Sequence, residues 1–183
     1  MTDASAPELV YEPLGPGHAA ALFPVLGEAR VWEHLQGSDG ATEEQVRAGY
    51  ARRAAGPSRP GERWINHAVR LAGGPYLGRI EATVYDAEWA EIAYVFGLEH
   101  RGRGYARAAV AWLLRQLGVD EVWATTRPGN TRSRRLLEAL RFRQSEPTRA
   151  LASWDPGDLA YRWDRPSGDG RWGATARFHG RPP

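Results

Sequence analysis

The sequence predicts one α/β domain on a mixed central sheet, with an antiparallel meander in its N-terminal half and helices on both faces. Three observations carry this. Residues 64–98 form three β-branched and aromatic stretches broken by the turn signals GGP and DAE, the pattern of a meander. In YARAAVAWLLRQLG, directly downstream, Ala106, Ala109, Val110, Leu113, Leu114 and Leu117 fall on one face of an α-helix. A strand, helix, strand, helix succession then follows the meander, which makes the sheet mixed.

Taken in order, LVYEPLG (9–15) reads as a strand. Residues 16–35 and 42–56 read as two helices, the second capped by Thr42 with Glu44 and Gln45 behind it. PSRPGER (57–63) is a loop before the meander strands WINHAVRLAGG, PYLGRIEATVYDA and EWAEIAYVFGL. The helix after them stops at Gly118. VDEVWATTR is a strand, and NTRSRRLLEAL is a helix capped by Asn130 with Leu136, Leu137 and Leu140 inward. LRFRQ and DLAYRWD close the fold as strands. The domain is expected to span residues 1–164, with 165–183 a Gly-, Pro- and Arg-containing tail.

A chain of 183 residues buries roughly 70% of its unfolded surface and needs no staple. It has no cysteine, so thiol chemistry by the protein is excluded and a reducing compartment is expected. No basic-then-apolar leader and no membrane span is legible, so a cytoplasmic location without membrane partners is expected. All 24 basic residues are arginine, a compositional bias rather than a nucleic-acid-binding design. Residues 1–98 carry 8 arginines against 13 carboxylates, and residues 99–143 carry 10 against 4. That asymmetry suggests one cationic and one anionic ligand, with Glu33, Asp39, Glu81, Asp86 and Glu88 available to the first. Solvated faces would give the same sums.

The stretch EHRGRGYARAA places two glycines between arginines at a helix start, after a strand. Unpaired N–H groups there, backed by the helix dipole, form an anion site. Gly102 and Gly104 supply the dihedrals of a nest without a Cβ to hold phosphate away. A dinucleotide fingerprint fails because Arg107 stands where its third glycine belongs, and a Walker A loop fails because lysine is absent. What remains, Arg101, Gly102, Arg103, Gly104, Tyr105 and Ala106, reads R-x-x-G-x-A. With AEIAYVFGLEHRGRGYA before it and NTRSRRLLEALRF after it, the chain resembles the GNAT acyltransferase superfamily from about residue 9 to 164. The likeness is nearest to the RimJ/RimL type, the ribosomal-protein N-terminal acetyltransferases. Arg141 and Ala93 stand where that family usually has glycine.

The resemblance implies an acetyl-CoA-dependent N-acetyltransferase acting on a protein N-terminus or a small amine, with acetyl-CoA as co-substrate and no metal. It implies that the fourth and fifth strands splay, that Tyr94, Val95 and Phe96 pair with pantetheine, and that residues 102–106 hold the pyrophosphate. The Val95 N–H is expected to meet the thioester oxygen. Glu91 is expected as base through water, a solvated strand carboxylate being the alternative. The family's helix tyrosine is replaced by Leu137, so Ser133 is expected to donate to the sulfur, an ordinary first-turn serine being the alternative. Asn130 caps the helix with a side contact to the cofactor. Trp32, Glu33, His34 and Asp39 are candidates for the acceptor cleft, Trp32 alternatively being core. The five histidines show no metal spacing. A CoA-binding module without turnover, and transfer of another acyl group such as succinyl, are the rival readings. Dimers are frequent in the family, so a homodimer is a further expectation.

Overall fold

A computed structural model describes residues 8–33 and 41–166. The sheet takes β1 (Leu9–Pro13), β2 (Glu62–Leu71), β3 (Tyr76–Tyr85), β4 (Trp89–Phe96), β5 (Glu121–Thr126), β6 (Arg143–Gln144) and β7 (Leu159–Asp164), in the order β1-β2-β3-β4-β5-β7-β6. Every neighbouring pair is antiparallel except β4 with β5. The helices are α1 (Ala19–Leu26), α2 (Glu43–Ala55), α3 (Tyr105–Gln116) and α4 (Thr131–Ala139).

Strand alternation builds two cores, one on each face. Ile80, Ala82, Val84, Ala90 and Ile92 pack with α3 and α4 residues, among them Val110, Leu113, Leu114 and Leu137. Each such fully buried aliphatic side chain contributes about 1.5–3 kcal/mol. Ala68 and Val95 point the other way and pack with Leu22, Leu26, Val31 and Tyr50 from the α1 and α2 side.

Local chemistry sets the boundaries. At α2, Thr42 accepts from the Gln45 N–H while the Gln45 side chain accepts from the Thr42 N–H, a reciprocal cap. The single helix expected over 16–35 is instead broken: a 3-10 turn (Pro16–His18), α1, and a second 3-10 turn (Ala29–Val31). Gly27 caps α1, and Glu28 is extended at φ −71° and ψ 126°, which ends the helical run. The strand expected over 140–144 shrinks to two residues because α4 runs on to its own cap. There Phe142 N–H donates to Leu137 O and Arg141 N–H to Glu138 O, a Schellman motif. Arg141 sits in its left-handed position at φ +69°.

Candidate active site

The sheet opens where β4 meets β5. Their parallel register covers only Trp89–Glu91 against Glu121–Trp123. Beyond it, β4 stays with β3 to Phe96 and β5 stays with β7 to Thr126. The Gly97 N–H donates to Leu77 O at 2.9 Å, and antiparallel alternation then turns the main-chain groups of Val95, Ala93 and Glu91 toward β3 as well. Those of Ile92, Tyr94 and Phe96 face the gap. The expectation that the Val95 amide meets the thioester oxygen is therefore corrected: that amide belongs to the β3 ladder, and the donors on the open edge are Tyr94 and Phe96.

The open edge leads through a 3-10 turn (Leu98–His100) into the glycine loop. Gly102 and Gly104 lie at φ +76° and +79°, and a Cβ at either would meet nothing within 4 Å. Glycine is needed there for backbone conformation, and the space above is clear. No side chain caps α3, and its first internal bond is Ala108 N–H to Gly104 O at 3.0 Å. The amides of Tyr105, Ala106 and Arg107 thus precede any intrahelical acceptor. The Tyr105 ring itself is buried in the core, so what it offers the nest is its amide. Arg101 is held below its ordinary pKa by desolvation and by the charges of Arg132 and Arg30. The Glu33 and Glu28 carboxylates act on Arg101 in the opposite sense and more weakly.

On the α3 and α4 side of the gap, Asn130 Oδ1 accepts from the Ser133 N–H at 3.1 Å, capping α4. The Ser133 hydroxyl is 2.8 Å from the Tyr94 hydroxyl. Burial pushes Tyr94 up to about 12, which keeps it protonated. The sequence reading missed this second role of Tyr94. The position that the resemblance gives to a helix tyrosine is Leu137, which is fully buried, whereas the phenol beside Ser133 stands on β4. Alternation from Ala90 and Ile92 places Tyr94 on that face, and a buried Tyr hydroxyl needs a partner.

Glu91 occupies the last paired position, where the strands part. Its carboxylate accepts from the Ala152 and Ser153 N–H groups, both at 2.9 Å, and from the Ser153 hydroxyl. Thr125 donates to Ser153 O at 3.0 Å. Glu91 therefore fastens the β6–β7 connection across the vertex of the gap, and its oxygens already serve three donors.

On the opposite face, α1, α2 and β3 enclose a cavity of about 610 Å³. Trp32 lines it, half-buried, its Nε1–H donating to Leu26 O at 2.5 Å. Glu33 is exposed and its carbonyl accepts from Arg127 at 3.2 Å. His34 and Asp39 lie outside the described residues. The carboxylates expected to greet a cation do not gather here. Glu81 accepts from Arg53 at 2.6 Å and from Arg79, whereas Asp86 and Glu88 belong to the β3–β4 turn at the far end of β4. Among the described residues no group of three or more His, Cys, Asp or Glu side chains could hold a metal ion, and no helix is long and apolar enough to cross a membrane.

A mixed sheet parted between two parallel strands, followed by a glycine nest at a helix start, is the architecture of the GNAT fold. Residues 8–143 match the family model of the acetyltransferase (GNAT) domain, and the chain belongs to that family. Solved structures agree in fold. An acetyltransferase from Thermus thermophilus superposes with a TM-score of 0.68 at 20% identity, covering 87% of this chain and 99% of the other. Spermidine N-acetyltransferase from Vibrio cholerae, in complex with CoA and spermine, gives 0.65 at 15% identity over 84% and 92%. The microcin self-immunity acetyltransferase MccE, in complex with acetyl-CoA and AMP, gives 0.72 at 11% identity over 86% and 92%. No curated protein matches the chain by sequence.

Proposed function

We propose that this chain is an acetyl-CoA-dependent N-acetyltransferase of the RimJ/RimL type, moving an acetyl group to a primary amine of a small molecule or a protein N-terminus. The observation that carries the reading is the run of unpaired main-chain groups from Tyr94 and Phe96 on the open edge to the amides of residues 102–106 at an uncapped helix start. Acetyl-CoA supplies an activated thioester. An extended pantetheine suits an edge that accepts an added strand, and a diphosphate suits the nest, with Arg101 leading into it and the charges of Arg132 and Arg30 felt at Arg101.

The chain's residues then divide the work. The Tyr94 amide donates to the carbonyl oxygen, where charge develops. The amine nitrogen sheds one proton and the departing sulfur takes one. Ser133 delivers the second as the C–S bond breaks and takes the Tyr94 hydroxyl proton in its place, which solvent then restores; Asn130 holds its amide and Tyr94 its hydroxyl. Glu91, with three donors on its carboxylate, holds the vertex and orders the loop at 152–153 beside which water takes the amine proton. An α-amine with a pKa near 8 is already partly neutral at pH 7, so it asks little of a base. Domain limits of 1–164, a cytoplasmic setting and a homodimer complete the reading.

The test is CoA release with acetyl-CoA and an amine panel, beside thermal scans with CoA. At 100 times Kd, CoA adds about 2.7 kcal/mol of stability. Tyr94→Phe and Ser133→Ala are expected to lower kcat while CoA still stabilises the fold. Stabilisation without turnover on any amine leaves a non-catalytic CoA-binding module. Mass spectrometry after mixed acyl-CoA incubation separates acetyl from succinyl transfer.

A further inference from the structure

The cavity between α1, α2 and β3 is basic. Every charged side chain on its wall, among the described residues, is an arginine: Arg52, Arg53 and Arg79. One carboxylate, Glu81, answers both Arg53 and Arg79. Arg79 is the unusual member. Its side chain is only 9% exposed, and its Nε–H has no hydrogen-bond partner among the described residues. Burial and the neighbouring Arg53 push its pKa down to about 10. A buried guanidinium with an unused donor and half a counter-ion is costly, and a bound oxyanion removes that cost through the planar fork. Beside Gln45, the wall carries the apolar and aromatic side chains of Leu22, Phe23, Leu26, Trp32 and Tyr50, and the Trp32 ring centroid lies 6.0 Å from the Arg79 guanidinium carbon.

The cavity wall and the open edge share one strand pair, β3 with β4. Arg79 pairs with Val95 across the β3–β4 ladder, and Val95 packs in the same core as Tyr50, with Trp32 against it. We propose that the acceptor is a primary amine bearing a carboxylate and an apolar or aromatic body, the carboxylate seated on Arg79 with Arg53, rather than a polycation. This rests on the transferase reading for the amine, but not for the carboxylate, and the two separate experimentally.

Matched acceptors that differ only in the carboxylate provide the turnover test: phenylalanine against phenethylamine, tryptophan against tryptamine, with spermidine as polycation. The carboxylated partner is expected to lead in kcat/KM by about tenfold or more, as for a site built around one polar group. That lead is expected to vanish in Arg79→Gln and to shrink in Arg53→Gln, whose side chain is more exposed and which guards against misfolding of the first variant. Binding without chemistry is read by thermal shift with 3-phenylpropanoate against 3-phenylpropanol, wild type against both variants. Stabilisation by the acid alone, lost in the variants, supports the carboxylate seat even if no amine turns over, in which case only the transferase reading falls. Equal or faster turnover of phenethylamine or spermidine overturns the inference. So does an absence of both turnover and acid-specific stabilisation.

Discussion

Gly104→Ala, set against Gly118→Ala, separates backbone strain from anion binding. Both glycines are left-handed, at φ +79° and +74°, and a Cβ at either meets nothing within 4 Å. Gly104 opens α3 at the nest, and Gly118 follows its far end. An L-residue in this region costs about 1–2 kcal/mol, offset by about 0.4–1 kcal/mol from a stiffer unfolded chain. Both variants should therefore lose about 1 kcal/mol, or about 2–4 °C in Tm for a chain of this size. Only Gly104→Ala puts a methyl where a diphosphate meets the amides of residues 102–106. Losing one such hydrogen bond to a charged group costs about 1.5–3 kcal/mol, which is about 10- to 100-fold in CoA affinity. Calorimetric titration with CoA gives the affinity, and thermal scans without ligand give the strain. If Gly118→Ala weakens CoA as much as Gly104→Ala, or if Gly104→Ala leaves Kd unchanged, the nest is not where the diphosphate sits.

Arg141→Gly is expected to stabilise the fold by about 0.5–1 kcal/mol, because it relieves the left-handed strain at φ +69° by more than the added unfolded-state freedom takes back; the denaturant midpoint should rise at constant slope. Glu12 is held at about 2 by hydrogen bonds from Tyr76 and then Arg70, which outweigh the opposing effect of burial, with a smaller contribution from His18. A depressed carboxylate contributes fully above its unfolded value and loses that contribution as pH falls through the folded one. The stability gap between wild type and Glu12→Gln is therefore expected at neutral pH and to close between about 4.5 and about 2, read by denaturant titration across that range.

How far the sequence could be read follows the range of each interaction. The Thr42 cap, the Asn130 cap and the glycine nest rest on contacts within a few residues, and each is legible from spacing. The apolar face of α3 and the meander are equally local in period. Tyr94 meets Ser133 across 39 residues and Glu91 meets Ser153 across 62, so no spacing rule reaches either pair. Net charge is a poor guide to a cavity wall for the same reason. The first half is acidic in sum, yet Glu12 is occupied by Arg70, Glu43 by Arg47, and Glu81 by Arg53 and Arg79. Among the described residues, the charged side chains on the cavity wall are arginines.

One geometric property of β4 organises the whole site. In a strand, the face a side chain takes and the edge its amide serves alternate together. Tyr94 and Phe96 therefore turn free main-chain groups to the gap while their side chains join the α3 and α4 core. Glu91, Ala93 and Val95 give their amides to β3 and their side chains to the face that carries α1 and α2. Of these three, Glu91 anchors the vertex and Val95 is core, leaving Ala93 exposed between them. Alanine there adds only a methyl, so this stretch of the strand stays uncovered. A one-residue slip in the β3–β4 register would close the edge to the coenzyme and bury Glu91 among α3 leucines at once. The long antiparallel register from Gly78–Phe96 to Tyr85–Trp89 thus fixes the chemistry as firmly as it fixes the sheet.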